Sequence, residues 1–301
     1  MPLGRSILLV LAILLLIALP PVPAQPTFGQ EKAIDVLGQH LHYLEAGAGP
    51  TVVLLHGLGA DATTWLPTLP ALAPHFHVYA LDQLGFGQSD KPMIPYQLGT
   101  LVDFLAGFLD QLGIEKATLV GNSLGGWVAA AFTLAHPDRV DKLVLVGAAG
   151  LAPRLWNGPT WDRAWLEQLN PSTLAGYRKL LGLAFYHQQL LTDDFITQQF
   201  ARKLKINDGY TISRFLESFE RGEDLLDERL KTLKVPTLVL WGAEDELVPL
   251  GSGKALAALI PGAQLMIFDH CGHLLQNDCP EVFNGALLHF LGVAGQSPPA
   301  Q

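Results

Sequence analysis

Cysteine is scarce, with two in 301 residues, and cationic side chains are outnumbered, 19 against 28 acidic ones. The formal net charge is −9, and no basic run or basic stripe is interleaved with aromatics. Both features argue against a partner with a phosphate backbone, so no nucleic-acid role is expected. A Gly-x-x-x-x-Gly-Lys phosphate loop is missing, and no His/Cys/Asp cluster stands at metal-ligand spacing along the chain. Catalysis without cofactor or metal is the expectation. The apolar run from Ile7 to Leu19 ends at Pro20 and Pro21, short of the ~20 residues that a bilayer-spanning helix needs. Arg5 is the only basic residue before it, and Val22 and Ala24 follow. Residues 1–24 therefore read as a secretory signal, with an uncleaved N-terminal anchor as the alternative. In either case the folded part is expected outside the cytoplasm, with membrane association only through this segment.

What is present is a globular composition, 49% hydrophobic and 16% charged, able to fill a large core. Residues 25–36 read as a loose leader. Gln39 to Ala46 alternates and suits an edge strand, whereas Thr51–Leu55 is an apolar run of the kind buried on both faces of a parallel sheet. Helical sequence around Trp65, Leu69 and Leu72 leads to a strand from His77 to Leu81. Leu98, Leu101, Val102, Leu105, Phe108, Leu109 and Leu112 form one helical stripe closed by Gly113. Ala117–Val120, Leu124–Ala135 and Lys142–Val146 continue the alternation of strand and helix. The spacing predicts an α/β fold, a mostly parallel sheet covered by helices on both faces. From 151 to 233 the rhythm stops, and aromatics from Trp156 and Trp161 to Phe219 lie in helix-favouring sequence, which reads as a helical cap. Strands at Thr237–Trp241 and Gln264–Phe268 and helices at Lys254–Leu259 and Glu281–Leu291 complete a core of residues 25–150 and 234–292. A frayed tail, 293–301, follows.

Gly121-Asn122-Ser123-Leu124-Gly125 falls between a strand and a helix. A serine there sits on a tight turn that lifts its hydroxyl above the carboxyl edge of the sheet, at a helix N-terminus that favours developing negative charge. A serine hydroxyl needs a base. Of ten histidines, His273 follows the last strand in a turn that can reach back over the serine. His56 is the main rival, but the loop it opens has another task, and His270 comes too early. The acid that orients the base is assigned to Asp245, with Glu244 and Glu246 as close competitors and Asp269 too near His273 along the chain. The backbone N–H groups of Leu58, in His56-Gly57-Leu58-Gly59, and Leu124 are the candidate oxyanion donors, and His56 then braces the loop. The glycine-rich stretch Asp82–Asp90 lacks a full dinucleotide fingerprint and reads as a structural turn. Cys271 and Cys279 read as two small buried thiols, with a bridge around His273 as the alternative.

From about residue 37 to 292 the chain resembles the α/β-hydrolase superfamily with an inserted helical cap. The resemblance rests on five motifs in order: the His-Gly loop at 56, Asp-x-x-Gly-x-Gly-x-Ser at 82–89, the elbow at 121–125, Gly-x-x-Asp at 242–245 and Gly-His at 272–273. The order Ser123, Asp245, His273 is that of the family's triad. Gly-Asn-Ser-Leu-Gly-Gly, the Val-Pro after the acid and Cys-Gly-His-x-x-Gln look like hydrolases that cleave carbon–carbon bonds in ring-fission products. The chain departs from those at Leu58-Gly59-Ala60-Asp61, where they carry a Ser-Gly-Pro-Gly type loop, and at Leu274, where they commonly carry Trp. Haloalkane dehalogenases are similar but place an aspartate where this chain has Ser123. The preferred expectation is a serine carboxylic ester hydrolase acting on small to medium apolar acyl groups. Alternatives are a carbon–carbon bond hydrolase of ring-fission products and a catalytically inactive, ligand-binding member of the fold.

Overall fold

A computed structural model of the protein describes residues 29–155 and 162–294. The N-terminal apolar run, Trp156, Trp161 and the end of the tail lie outside the described residues, and so do the expectations placed on them. The strands are β1 Gln30–Val36, β2 Gln39–Ala46, β3 Thr51–Leu55, β4 His77–Leu81, β5 Ala117–Asn122, β6 Val140–Val146, β7 Thr237–Gly242 and β8 Gln264–Phe268. They form one eight-stranded sheet in the order β1-β2-β4-β3-β5-β6-β7-β8. β2 pairs antiparallel with β1 and β4, and every other pairing is parallel.

The apolar runs fill both faces because successive side chains of a strand point to opposite sides. Val53 and Leu55 of β3 enter one core, while Val52 and Leu54 enter the other. Leu143 and Leu145 against Val144 and Val146 divide in the same way, as do Val239 and Trp241 against Leu238 and Leu240. Helices α1 Leu69–Leu72, α2 Leu98–Gln111 and α3 Leu124–Ala135 follow β3, β4 and β5, and α2 and α3 cover the first core. Fully buried Leu101, Leu105, Phe108 and Leu109 confirm the stripe read from the spacing of α2.

The expected loose leader is corrected: its second half is β1. Its seven residues carry few buried side chains, so no apolar pattern announces it. It forms because β2 otherwise leaves an unpaired sheet edge. Val36, 1% exposed, also packs under α2, where a Cβ on Gly107 would lie 2.5 Å from its Cγ1.

Between β6 and β7 the described residues hold no strand. The helices are α4 Arg163–Glu167, α5 Leu174–Ala184, α6 Asp193–Ile206 and α7 Gly209–Glu220. Their starts are set by side-chain caps: Asp162, Thr173 and Thr192 accept the N–H groups of Trp165, Gly176 and Phe195. A small apolar cluster of Leu181, Ala184, Phe185 and Ile196 joins Leu247 of the segment after β7. Helices α8 Leu250–Leu259, α9 Leu275–Asp278 and α10 Pro280–Leu291 complete the chain.

The Asp82–Asp90 stretch is a structural turn, as its sequence implied. Asp82 is 2% exposed. Its carboxylate accepts the N–H groups of Ala62 and Gln88 at 2.6 and 2.7 Å and His42 Nδ1 at 2.8 Å. Burial of Asp82 favours its neutral form, but the His42 hydrogen bond, the neighbouring His56 ring and the two amides outweigh it and hold the carboxyl below its ordinary range. Burial works against the charged form of His42 too, yet the Asp82 bond and charge raise its pKa above the ordinary value. The signs give a window. The Asp82 contribution is present above its unfolded pKa and fades as pH falls through its lowered folded value. The His42 contribution is full below an unfolded pKa of ~6.5 and fades as pH rises through its raised folded value. Chemical denaturation of wild type and His42→Gln across pH 5–9 is expected to show a loss of wild-type stability on the alkaline side that the variant lacks.

Candidate active site

Ser123 follows β5 and opens α3 with φ 54° and ψ −116°, a backbone conformation that costs on the order of 1–3 kcal/mol. Two glycines make the bend sterically open. A Cβ on Gly121 would lie 2.2 Å from Gly125 O, and one on Gly125 would lie 2.2 Å from Leu55 O. Ser123 N–H donates to Val146 O at 2.9 Å, and Ser123 O accepts from Trp127 N and Ala149 N, both at 3.1 Å. The strained residue is thereby fixed between β6 and α3.

His273 lies in the turn between β8 and α9, 4% exposed, and its Nδ1 donates to Asp245 Oδ2 at 2.8 Å. The other carboxylate oxygen of Asp245 accepts the N–H groups of Leu247 and Val248 at 3.0 and 2.8 Å. These bonds orient the acid and assign the proton to Nδ1, leaving Nε2 as the basic nitrogen. Ser123, His273, Leu58 and Leu124 all border one cavity of about 430 Å³, which lies between the carboxyl ends of the strands and helices α4–α7. Among the described residues the Ser123 hydroxyl makes no hydrogen bond to the His273 ring, a contact that often closes only with substrate in place. Neither Leu58 N–H nor Leu124 N–H is used in a backbone hydrogen bond among the described residues, so both are free to serve as oxyanion donors.

The rivals have other tasks. His56, fully buried, donates from Nδ1 to Gly57 O at 2.8 Å and accepts Gln83 N–H at Nε2 at 3.1 Å, bracing the first loop as expected. Glu244 accepts Cys271 N–H at 3.1 Å. Glu246, Asp269 and His270 are exposed.

Sequence reasoning missed the groups that hold His273. Asn122, fully buried, donates from Nδ2 to Val146 O at 3.1 Å and to His273 O at 3.2 Å. Asp278 accepts Gly272 N–H at 2.7 Å and the N–H groups of Tyr186 and His187 at 2.8 and 3.0 Å. His273 N–H itself donates to Ala184 O at 2.9 Å, at the end of α5. The expectation of two free thiols is corrected: Cys271 and Cys279 form a disulfide with Cα atoms 6.0 Å apart. The turn of α9 brings the two ends of this short loop within bridging distance. His187, Asp278 and Cys279 offer ligand atoms within 4.8 Å of one another. The bridged sulfur and the three amides on Asp278 leave that group poorly suited to a metal.

The cavity walls are mainly apolar, with Trp165, Tyr177, Phe185, Phe195, Phe215 and Phe219 from the segment between β6 and β7. Burial, with the charges of Asp61 and Asp208 adding to it, pushes the Tyr177 hydroxyl up to about 12. A polar corner is supplied by Asp61, Gln199, Arg202 and Lys203.

A sequence model of the family described as alpha/beta hydrolase fold matches residues 50–278. The chain is 36% identical over 263 residues to a 2-hydroxy-6-oxononadienedioate/2-hydroxy-6-oxononatrienedioate hydrolase of Paraburkholderia phymatum, covering 84% of this chain and 91% of that one. Among solved structures, a meta-cleavage product hydrolase from Pseudomonas fluorescens IP01 superposes with a TM-score of 0.78 at 34% identity, covering 88% of this chain and 98% of that one. A bacterial membrane phospholipase A gives 0.79 at 29% identity, covering 88% and 86%. The names of the first two support carbon–carbon bond hydrolysis, the alternative raised from the sequence, more than the ester reading preferred there.

Two outcomes follow from the geometry. A fluorophosphonate probe is expected to label the protein at Ser123, and Ser123→Ala to abolish the labelling, read by intact mass and peptide mapping. Replacing both Cys271 and Cys279 by Ser removes a bridge over a separation of 8 residues, which is expected to lower unfolding stability by about 2–3 kcal/mol in a denaturant titration.

Proposed function

Because this chain belongs to the α/β-hydrolase family, we propose that it is a serine hydrolase that cleaves the carbon–carbon bond next to a ketone in ring-fission-type products. Ser123, His273 and Asp245 are its proposed catalytic residues. The observation that carries the serine chemistry is the His273 ring, held by Asp245 from behind, on the wall of the cavity that Ser123 also borders. The choice of bond rests on the activities for which the relatives are named.

In this mechanism His273 Nε2 takes the Ser123 proton as the hydroxyl oxygen attacks the carbonyl carbon. The oxyanion accepts the Leu58 and Leu124 N–H groups, each such donor typically contributing ~10²–10³ in rate. The carbon leaving group departs with the bonding electron pair, which substrate conjugation accepts, and takes its proton from the imidazolium. Water, deprotonated by His273, then attacks the acyl group on Ser123, releasing the acid and restoring the hydroxyl. Asp245 stays ionised and stabilises the imidazolium in both halves.

A second reading, hydrolysis of carboxylic esters with apolar acyl groups, uses the same residues with an alcohol as leaving group. The apolar cavity wall and the likeness to a phospholipase A favour it. Export by way of residues 1–24 belongs to this proposal as well.

The two readings separate in a substrate panel on the purified protein. A phenyl-substituted 2-hydroxy-6-oxohexadienoate, followed by loss of its dienolate absorbance, is compared with nitrophenyl esters from acetate to octanoate. The first reading expects kcat/KM for the dienoate to exceed that of the best ester by at least about tenfold, a transition-state difference of about 1.4 kcal/mol. The reverse order establishes the ester reading, and no turnover of any member leaves only a binding role.

A further inference from the structure

The stretch Cys271–His273 is anchored at both ends to residues that follow the strands. Cys271 N–H donates to Glu244 Oε2 at 3.1 Å, and its carbonyl accepts Glu244 N–H at 3.2 Å. The His273 carbonyl accepts Asn122 Nδ2 at 3.2 Å. The two amides between these anchors go elsewhere. His273 N–H donates to Ala184 O at 2.9 Å, a carbonyl that Leu274 N–H shares at 3.3 Å, and Gly272 N–H donates to Asp278 Oδ2 at 2.7 Å.

Asp278 in turn holds the turn after α5. Its side chain is fully buried, and the oxygen that accepts Gly272 N–H also accepts Tyr186 N–H at 2.8 Å. Its other oxygen accepts His187 N–H and His187 Nδ1–H, both at 3.0 Å. A Cβ on Gly272 would lie 2.7 Å from Ala184 O and 2.8 Å from Tyr186 N, so the turn rests directly on the backbone beside the proposed base. The Cys271–Cys279 bridge fixes the end of α9 to the residue before Gly272, and Asp278 cannot follow the turn if it lifts away. Lifting would leave a buried carboxylate short of donors, which is costly.

We propose that Asp278 is a positioning residue that couples His273 to the helices walling the cavity: the base is set for proton transfer only while the turn Ala184–His187 is docked on its loop. The inference rests on the serine hydrolase reading above and holds for either leaving group. The Ser123 hydroxyl and the His273 ring make no hydrogen bond to each other in this structure, so the reaction depends on a small further approach. A misplacement of about 1 Å in such a group can cost ~10² in rate. Ala184 and Phe185 of the same turn border the cavity, so a displacement of that wall and a displacement of the base are one event.

The test uses the full chain and two readings. One is the second-order rate constant for labelling of Ser123 by a fluorophosphonate, and the other is hydrogen exchange at the His273 amide followed by NMR. That amide reports docking of the turn, because its acceptor is Ala184 O and not Asp278. Asp278→Ala is expected to slow labelling about tenfold or more and to speed exchange at His273 about tenfold or more. Asp278→Asn keeps one acceptor oxygen and is expected to fall between that variant and wild type. Val36→Ala, in β1 at the far edge of the sheet, is expected to lower stability by cavity formation and leave both readings near wild type. Unchanged labelling in Asp278→Ala overturns the proposal. Slower labelling with His273 as protected as in wild type overturns the coupling to the turn, and equal changes in Val36→Ala reduce the effect to general destabilisation and overturn it too. Should Asp278→Ala fail to fold, Asp278→Asn decides on the same readings, with about threefold as the expected change. Absence of labelling at Ser123 in wild type overturns the hydrolase reading and this inference together, whereas wild-type labelling that the variants do not alter overturns only the inference.

Discussion

The site depends on one steric constraint, the contact of backbone on backbone where β5 turns into α3. Gly121 and Gly125 lie too close to neighbouring carbonyls to carry a side chain, and that closeness holds Ser123 at positive φ. Relaxing the bend would lower local strain and also turn the hydroxyl away from the strand ends. Strain at this residue is therefore maintained by the packing of β3, β5 and α3, whose buried apolar side chains supply far more stabilisation than the bend costs.

The proposed base, His273, faces a different problem, because it comes from a loop 150 residues further along. A loop of that kind needs external anchors. His273 is held through its ring by Asp245, through its carbonyl by Asn122 and through its N–H by Ala184. Asp278 and the Cys271–Cys279 bridge close the loop behind it. Asn122 is next to the serine in sequence and bonded to the histidine's backbone in space, so the two halves of the site are positioned by one side chain. Ala184 and the amides of Tyr186 and His187 belong to the segment between β6 and β7, which links the base to the helices that wall the cavity.

Those helices also line the cavity. Their aromatic side chains give an apolar wall, and their cations Arg202 and Lys203 are paired with Asp61 and Asp208. The proposed triad and the candidate oxyanion donors sit at the ends of the strands, while the helices between β6 and β7 supply most of the aromatic wall of the cavity. Structures that superpose on this chain bear names as different as meta-cleavage product hydrolase and phospholipase A, as expected where one fold hosts several activities.

The sequence by itself determined the α/β architecture, because buried parallel strands must be short apolar runs and their helices must carry a stripe, as Thr51–Leu55 and Leu98–Gln111 do. It also singled out Ser123, His273 and Asp245, since a strand-to-helix turn flanked by glycines and two loops after strands leave few residues able to meet at one edge of a sheet. It did not reveal β1, whose residues are mostly exposed and whose pairing is imposed by the edge of β2. Nor did it reveal the disulfide, the bracing by Asn122 and Asp278, or the Asp61–Arg202 pair. Each of these joins groups by distance and direction in space, and local propensity carries no information about either. Only tertiary packing decided them, because a hydrogen bond or an ion pair depends on where folding brings two atoms and not on how far apart they stand along the chain.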